Sequence, residues 1–586
     1  MNEDDGNNRR MLLAAAICLA VLAIWPVIFP PAVPPPGSQG DPSATSTSTP
    51  SFSTLDGAEV AAGSVTTSSV GAGEAVSPTP RVEAQIFSYE GEAEIDDEMV
   101  AFRGALTNVG GAFERFVLPG FNERDADNRP TDQPIQLADP VSKSALEELA
   151  FHQMGGIAFV GGSTFELPVG AVYEVVSSSD DTVVYRYRDR SGVEVERTYA
   201  VSSDRTWADF TIKVTNRSDR AHTHQLELGA ALEANDAMRS GGGWSFAPPP
   251  DHLEAACHVD GSMERENVNS LDDGEPERFA GGVEWVGVDR QYFLSAIVAR
   301  DADRAQASCV LEGRGDVARA SMVLPPVALE PGQSRTHRFT AYMGPKVPEA
   351  LDHVSPELRR AINYTVLGLN LAPLCNLLLW ILGFIHDLTG SWGLAIIGLT
   401  VLVKAILFPL NQKQGKSMRA MSALKPEMEK IKTKYPDDQQ RQSQEMMRLY
   451  KEHNVNPAGG CLPLLLQMPI WFALYRSLWV SVDLYQESFL WIPDLTTRDP
   501  YWILPVILVV VMFIQQKMMP AAMDPAQQKI MLYTMPLMFG FLMAALPAGL
   551  CFYILVNTLL TIVQQHLINR TVGPPVGGPK AAVQGA

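Results

Sequence analysis

Between Trp392 and Pro409 the chain reads WGLAIIGLTVLVKAILFP, an apolar stretch of spanning length that holds one charge, Lys404. In a bilayer the backbone of such a stretch satisfies its polar groups as a helix, and about 20 apolar residues suffice to cross. A cation inside a span costs roughly 2.5–3.5 kcal/mol on insertion scales, so its presence is a functional signal. Thr400 lies one turn earlier on the same face. At 1.5 Å per residue Lys404 is about 18 Å along the helix from Trp392, past the middle of the span. A lysine there can also snorkel to the headgroups.

The rest of the chain divides sharply by charge. Residues 81–350 hold 25 Lys+Arg against 45 Asp+Glu, a net of −20, whereas residues 351–586 hold 19 against 14, a net of +5. The acidic half is a poor match for nucleic acid, and no nucleic-acid site is expected. The six cysteines show no CxxC and no His/Cys cluster at metal spacing, so no metal or other cofactor is expected. Cys18, Cys375, Cys461 and Cys551 lie in or beside apolar stretches. Cys257 and Cys309 share the acidic segment, where an oxidising compartment permits a disulfide; the sequence leaves that pairing open.

Residues 1–30 contain Arg9 and Arg10 followed by the apolar run Met11–Pro30. The two arginines place the N-terminus in the cytoplasm, and the run reads as an uncleaved signal anchor, with a cleavable signal peptide as the rival. Residues 31–80 are rich in Pro, Ser, Thr, Gly and Ala and read as a flexible linker. Residues 81–350 switch to alternation. Thr182–Asp189, Val193–Val201 and Trp207–Thr215 each have the period of a half-buried strand, with turn chemistry at Asp189–Gly192. A large β-sandwich is predicted, and its glycine pairs lack the strand-then-helix context of a nucleotide site.

Residues 355–390 are read as an interfacial region. Ser355-Pro356-Glu357 predicts a helix start, with Leu358, Ala361, Ile362, Thr365, Val366, Leu369 and Ala372 on one amphipathic face. The apolar Leu374–Ile385 that follows is too short to span comfortably. Charge sets the topology. Segment 411–457 carries ten Lys+Arg against six acids and belongs in the cytoplasm, so Trp392–Pro409 crosses and Leu374–Ile385 does not. The segment itself reads as a helical hairpin broken at Tyr435-Pro436, with Asp437 and Gln440 as a capping box. Met418, Met421, Met428, Met446 and Met447 either offer an adaptable apolar surface or pack within the hairpin.

Gly460–Val480, Tyr501–Gln515, Ile530–Leu546 and Gly549–Ile568 complete six spans, five of them in the core 391–570, with both termini cytoplasmic and a short tail over 571–586. None of the spans contains Asp or Glu. An ion or proton relay ordinarily needs an intramembrane carboxylate, so the polar residues Lys404, Gln467, Tyr553, Asn557, Thr561, Gln564 and Gln565 favour a water-filled cavity open to a guest. Arg476, near the outer end of its span, is expected to snorkel.

Several stretches occur in the order of a known family. GGCLPLLLQMPIWFALYRSL (Gly459–Leu478), NPAGG (Asn456–Gly460), QEMMRLYKEHNVNP, DPAQQKIM (Asp524–Met531) and PAGLCFYILVNTL (Pro547–Leu559) strongly resemble the YidC/Oxa/Alb membrane-insertase family. The resemblance covers residues 355–570, and the anchor, linker and β-rich segment match the layout of its Gram-negative form. It implies a non-enzymatic insertase and chaperone of the bacterial inner membrane, in which five spans enclose a hydrophilic groove open to cytoplasm and lipid. Nascent membrane proteins, the lipid bilayer and the Sec translocon are the implied partners. With so few charges in the tail, contact with a ribosome or targeting factor falls to 411–457. The family's groove cation, usually arginine, maps onto Lys404, which keeps the charge and loses the planar fork. Thr400 and Gln467 match groove positions, and Tyr553 matches a substrate-contacting tyrosine; Ile554 stands where the family often has a second one. Two other classes compete. A secondary transporter predicts inverted repeats and a midplane carboxylate, and neither is visible. An anchored glycan enzyme leaves five spans without a purpose.

Overall fold

The structure, a computed structural model, describes residues 83–571 apart from 97, 126–128, 140–152, 236–237, 239–251, 268–275, 315, 367, 437, 454, 456–461 and 519–524. The signal anchor, the linker and the tail 572–586 therefore lie outside the described residues, as do Cys18 and Cys461.

Residues 86–345 form antiparallel sheets, as the alternation predicted. Thr182–Arg188, Val193–Ala200 and Trp207–Asn216 are neighbours in a nine-stranded sheet. Ala208, Phe210, Ile212 and Val214 all face inward from the last of these, the period-two set that a strand buries. At the turn between the first two, Asp189 accepts from the Ser191 N–H at 2.8 Å and Gly192 sits at φ 89°, which suits a residue without a Cβ. A five-stranded sheet packs against the larger one, and a disulfide between Cys257 and Cys309, both fully buried, joins the two. The four-stranded meander Ile86–Ala138 lies beside them; Ser295 donates to the Leu137 carbonyl at 2.6 Å.

The connection to the helices departs from expectation. After helix α1 (Pro348–Val354), the segment expected to form a long amphipathic helix makes only a 3-10 turn, Leu358–Ala361, and a minimal hairpin, Thr365–Val366 with Leu369–Asn370. Tertiary bonds explain the change. Trp285 Nε1 donates to the Glu357 carbonyl at 3.1 Å, and Arg265 donates to the Ala361 carbonyl at 2.7 Å. Leu358, Ala361, Ile362 and Tyr364 are buried as a result, so the segment is tied into the β-domain's core. Arg476 donates to the Asn363 carbonyl at 2.5 Å, so its head group is bonded to this segment.

The amphipathic helix comes later, as α2 (Ala372–Thr389). Pro373 is in its first turn, and Gly390 ends it in the left-handed conformation. Cys375, Leu378 and Leu382 are buried, while Leu377, Trp380, Phe384 and Leu388 form an exposed apolar stripe. At 18 residues α2 is longer than the run read from Leu374 to Ile385, and it reaches spanning length by composition. Next, α3 (Trp392–Ala423) continues through Pro409 without ending, so the boundary expected at 411 is not a break. The chain breaks instead at Leu424. Helices α4 (Lys425–Lys434) and α5 (Gln439–Glu452) then flank Tyr435-Pro436 as expected. The cap of α5 is Asp438, which accepts from the Arg441 N–H at 2.9 Å; Asp437 lies outside the described residues. Met428 and Met446 pack with Leu424, Leu449 and Tyr450 inside the hairpin.

Four more helices follow: α6 (Leu462–Val480), α7 (Ile503–Met518), α8 (Pro525–Met543) and α9 (Ala548–Thr571). The start of α7 is later than expected because Asp499 accepts from the Leu504 N–H at 2.6 Å and Trp502 is left-handed. Among the described residues, α2, α3 and Ala548–Leu567 of α9 are long and apolar enough to cross a membrane; Ile503–Met518 and Met531–Met543 are shorter apolar helices.

Candidate functional site

Lys404 points from α3 into the seam with α9. Its Nζ donates to Thr561 Oγ1 at 2.8 Å, and Thr561 in turn donates to the Asn557 carbonyl at 2.7 Å. The lysine is half-buried, and its helix contains no carboxylate. A buried ammonium is ordinarily stabilised by an acid, which would neutralise its field. Here a neutral hydroxyl takes that place, and among the described residues no carboxylate compensates the charge.

Of the residues named from sequence, Lys404 and Thr561 come together, and Asn557, one turn earlier on α9, meets Thr561 through its backbone carbonyl. Thr400, one turn before Lys404, is buried, and its hydroxyl donates back to the Ile396 carbonyl at 2.6 Å, the same back-bond that Thr561 makes on α9. Tyr553 is buried two turns before Thr561 on α9, toward the end nearer the β-domain. Gln467 is half-buried on α6. In the hairpin, Met421 and Met447 are half-buried outside the cluster that takes Met428 and Met446. The Met418 side chain lies outside the described residues.

Gln564 belongs to a second polar rung, whose other member, Asn411, was missed. Asn411 Nδ2 donates to Gln564 Oε1 at 3.5 Å, further along the same two helices, and Gln564 is buried with its Nε2 unpaired. Asn411 is seven residues after Lys404, two turns along the helix and on the same face, a signal legible in the sequence. Among the described residues no group of His, Cys, Asp and Glu is placed to hold a metal ion.

A β-domain joined to apolar helices, with a lone cation in a polar seam, defines a polytopic membrane protein of two parts. Each part has a counterpart among known families. Residues 95–377 match the YidC periplasmic domain, and residues 384–574 match the 60Kd inner membrane protein family. The chain is 33% identical over 98% of its length to a membrane protein insertase YidC of Anaeromyxobacter dehalogenans, 99% of which is covered. It is 37% identical over 65% of its length to one from Geobacter sulfurreducens, covering 69% of that protein. A solved YidC insertase structure aligns over 81% of this chain and 94% of its own, at 21% identity and a TM-score of 0.33. The chain belongs to the YidC membrane protein insertase family.

Proposed function

We propose that this protein inserts membrane proteins into the inner membrane and helps them fold, and that Lys404 is the working cation of its groove. The single observation carrying this is Lys404 itself: half-buried, bonded to the Thr561 hydroxyl, on a helix with no carboxylate. Moving a hydrophilic tail into hydrocarbon costs several kcal/mol for each unsatisfied polar group. A polar seam lowers that cost, and an uncompensated ammonium attracts an acidic tail. The guest's apolar segment then partitions into lipid, which drives the step without a nucleotide.

Lys404, Thr400, Gln467, Tyr553, Asn557 and Thr561 line the proposed groove. Six spans cross the membrane, five of them forming the core, with both termini cytoplasmic. In this reading α2 lies along the outer membrane surface, its stripe of Leu377, Trp380, Phe384 and Leu388 in the lipid. The Sec translocon is a proposed partner, and the hairpin 411–457 is the proposed contact for a ribosome or targeting factor.

Reconstitution in proteoliposomes with a short-tailed single-span substrate tests this. Protease protection of the tail in wild type and Lys404→Arg, with loss in Lys404→Ala, is the expected result. Equal protection in all three would remove the lysine from the mechanism.

A further inference from the structure

We propose that the β-domain is the outer clamp of the groove: it closes the near end by holding segment 481–502 over the starts of α3 and α9. This rests on the groove reading above.

The segment joins α6 to α7 and has two working sides. Its helix side seals a seam. Phe489 packs over Gly393 so closely that a Cβ there would lie 2.1 Å from the ring, and the ring centroid is 5.1 Å from that of Phe552. The Ala548 and Gly549 N–H groups, at the first turn of α9, donate to the carbonyls of Thr497 and Leu495 at 2.6 and 2.7 Å. These contacts bind the starts of α3 and α9, the two helices that carry Lys404 and Thr561 further along.

The other side is gripped by the β-domain. Arg124 donates to Asp494 at 2.8 Å and to Thr496 at 2.5 Å, with both charged side chains wholly buried. Its guanidinium lies 4.2 Å from the Tyr485 ring centroid. Tyr485 and Gln486 donate to the Asn122 carbonyl, each at 2.8 Å, and Gln486 accepts from the Asn122 N–H at 3.0 Å. Between the two sides the backbone is strained: Gln486, Leu490 and Trp502 have φ of 62°, 57° and 59° without being glycine. Such conformations persist where surrounding contacts over-determine them. A segment merely tethering a soluble domain needs neither the strain nor the buried ion pair. Arg124 and Asp494 are thus positioning residues, acting on the groove through Phe489 and the start of α9.

Cys551, free and buried beside Phe552, is a native reporter. The full chain is expressed with Cys18, Cys375 and Cys461 changed to Ser, and spheroplasts are treated with a membrane-impermeant maleimide. The starting chain should stay unlabelled. Arg124→Ala, Asp494→Ala and the milder Asp494→Asn should label roughly tenfold faster or more, as expected when a local opening equilibrium is freed. The swap Arg124→Asp/Asp494→Arg should restore protection. At the labelling temperature, below the onset of melting in every variant, the β-domain should keep its resistance to added protease. Cys551 staying protected in the single variants overturns the clamp, and so does a swap that fails to restore it. Exposure arising only together with loss of protease resistance, in Asp494→Asn as well, overturns it too. Labelling needs no substrate, so a failure of insertion itself is read separately.

Discussion

Arg124 and Lys404 are both cations removed from bulk water, and the molecule holds them in opposite ways. Arg124 is wholly buried, bonded to Asp494 and Thr496, with the faces of Tyr292 and Tyr485 nearby. Lys404 is half-buried and bonded to one hydroxyl, that of Thr561. A buried carboxylate meets the charge of Arg124, whereas Lys404 spends one of its three donors on a neutral hydroxyl and keeps its charge for a guest. A cation that holds parts together is neutralised in place; a cation that works on a guest is left uncompensated.

Breaking the first site should therefore cost far more stability than breaking the second. Asp494→Ala strands a buried guanidinium and should destabilise the protein by about 3–5 kcal/mol, seen as early loss of protease resistance on heating. A loss below about 1 kcal/mol would mean that water or another group rescues Arg124, and the contrast would fail. Reducing the Cys257–Cys309 bond, which spans 52 residues of sequence, should cost about 2–4 kcal/mol. That loss should appear in the β-domain's melting and leave the melting of the helices unchanged; a coupled shift of both would show the two parts to be one cooperative unit.

Acid sharpens the contrast further. His224 and His337 face each other, Nε2 to Nε2, at 3.2 Å inside the β-domain. Burial, then the neighbouring His337 and Arg335, push the His224 pKa down to about 4. The unfolded chain, with histidine near about 6.5, thus binds more protons than the folded one between those values. Stability should be full above about pH 6.5 and fall by no more than a few kcal/mol as pH drops toward 4. His224→Gln should flatten that slope in pH-dependent melting of the β-domain; an unchanged slope would place the acid sensitivity elsewhere. Smallest of all is the expected stability effect of Lys404→Met, within about 1 kcal/mol, since only one hydrogen bond is lost. A loss as large as that of Asp494→Ala would make Lys404 another structural cation.

The two sites also differ in how far they can be read from sequence. Lys404 is conspicuous because it is the one charge in an apolar stretch, and the strand Trp207–Asn216 because its inward residues alternate. Both signals are local. Arg124 and Asp494 are separated by 370 residues, and no periodicity joins them. The same limit misplaced the amphipathic helix. Its apolar spacing from Leu358 was real, but Arg265 and Trp285, distant in sequence, captured the carbonyls of Ala361 and Glu357.

Charge reversal tests the central claim most directly. Lys404→Glu would be compared with wild type in proteoliposomes, using two substrates that differ only in whether the translocated tail is acidic or basic. The account predicts that wild type favours the acidic tail and Lys404→Glu the basic one, with each chain's protection of the opposite tail reduced roughly tenfold, the equivalent of about 1.4 kcal/mol. The same preference in both chains would contradict a groove whose working charge is Lys404.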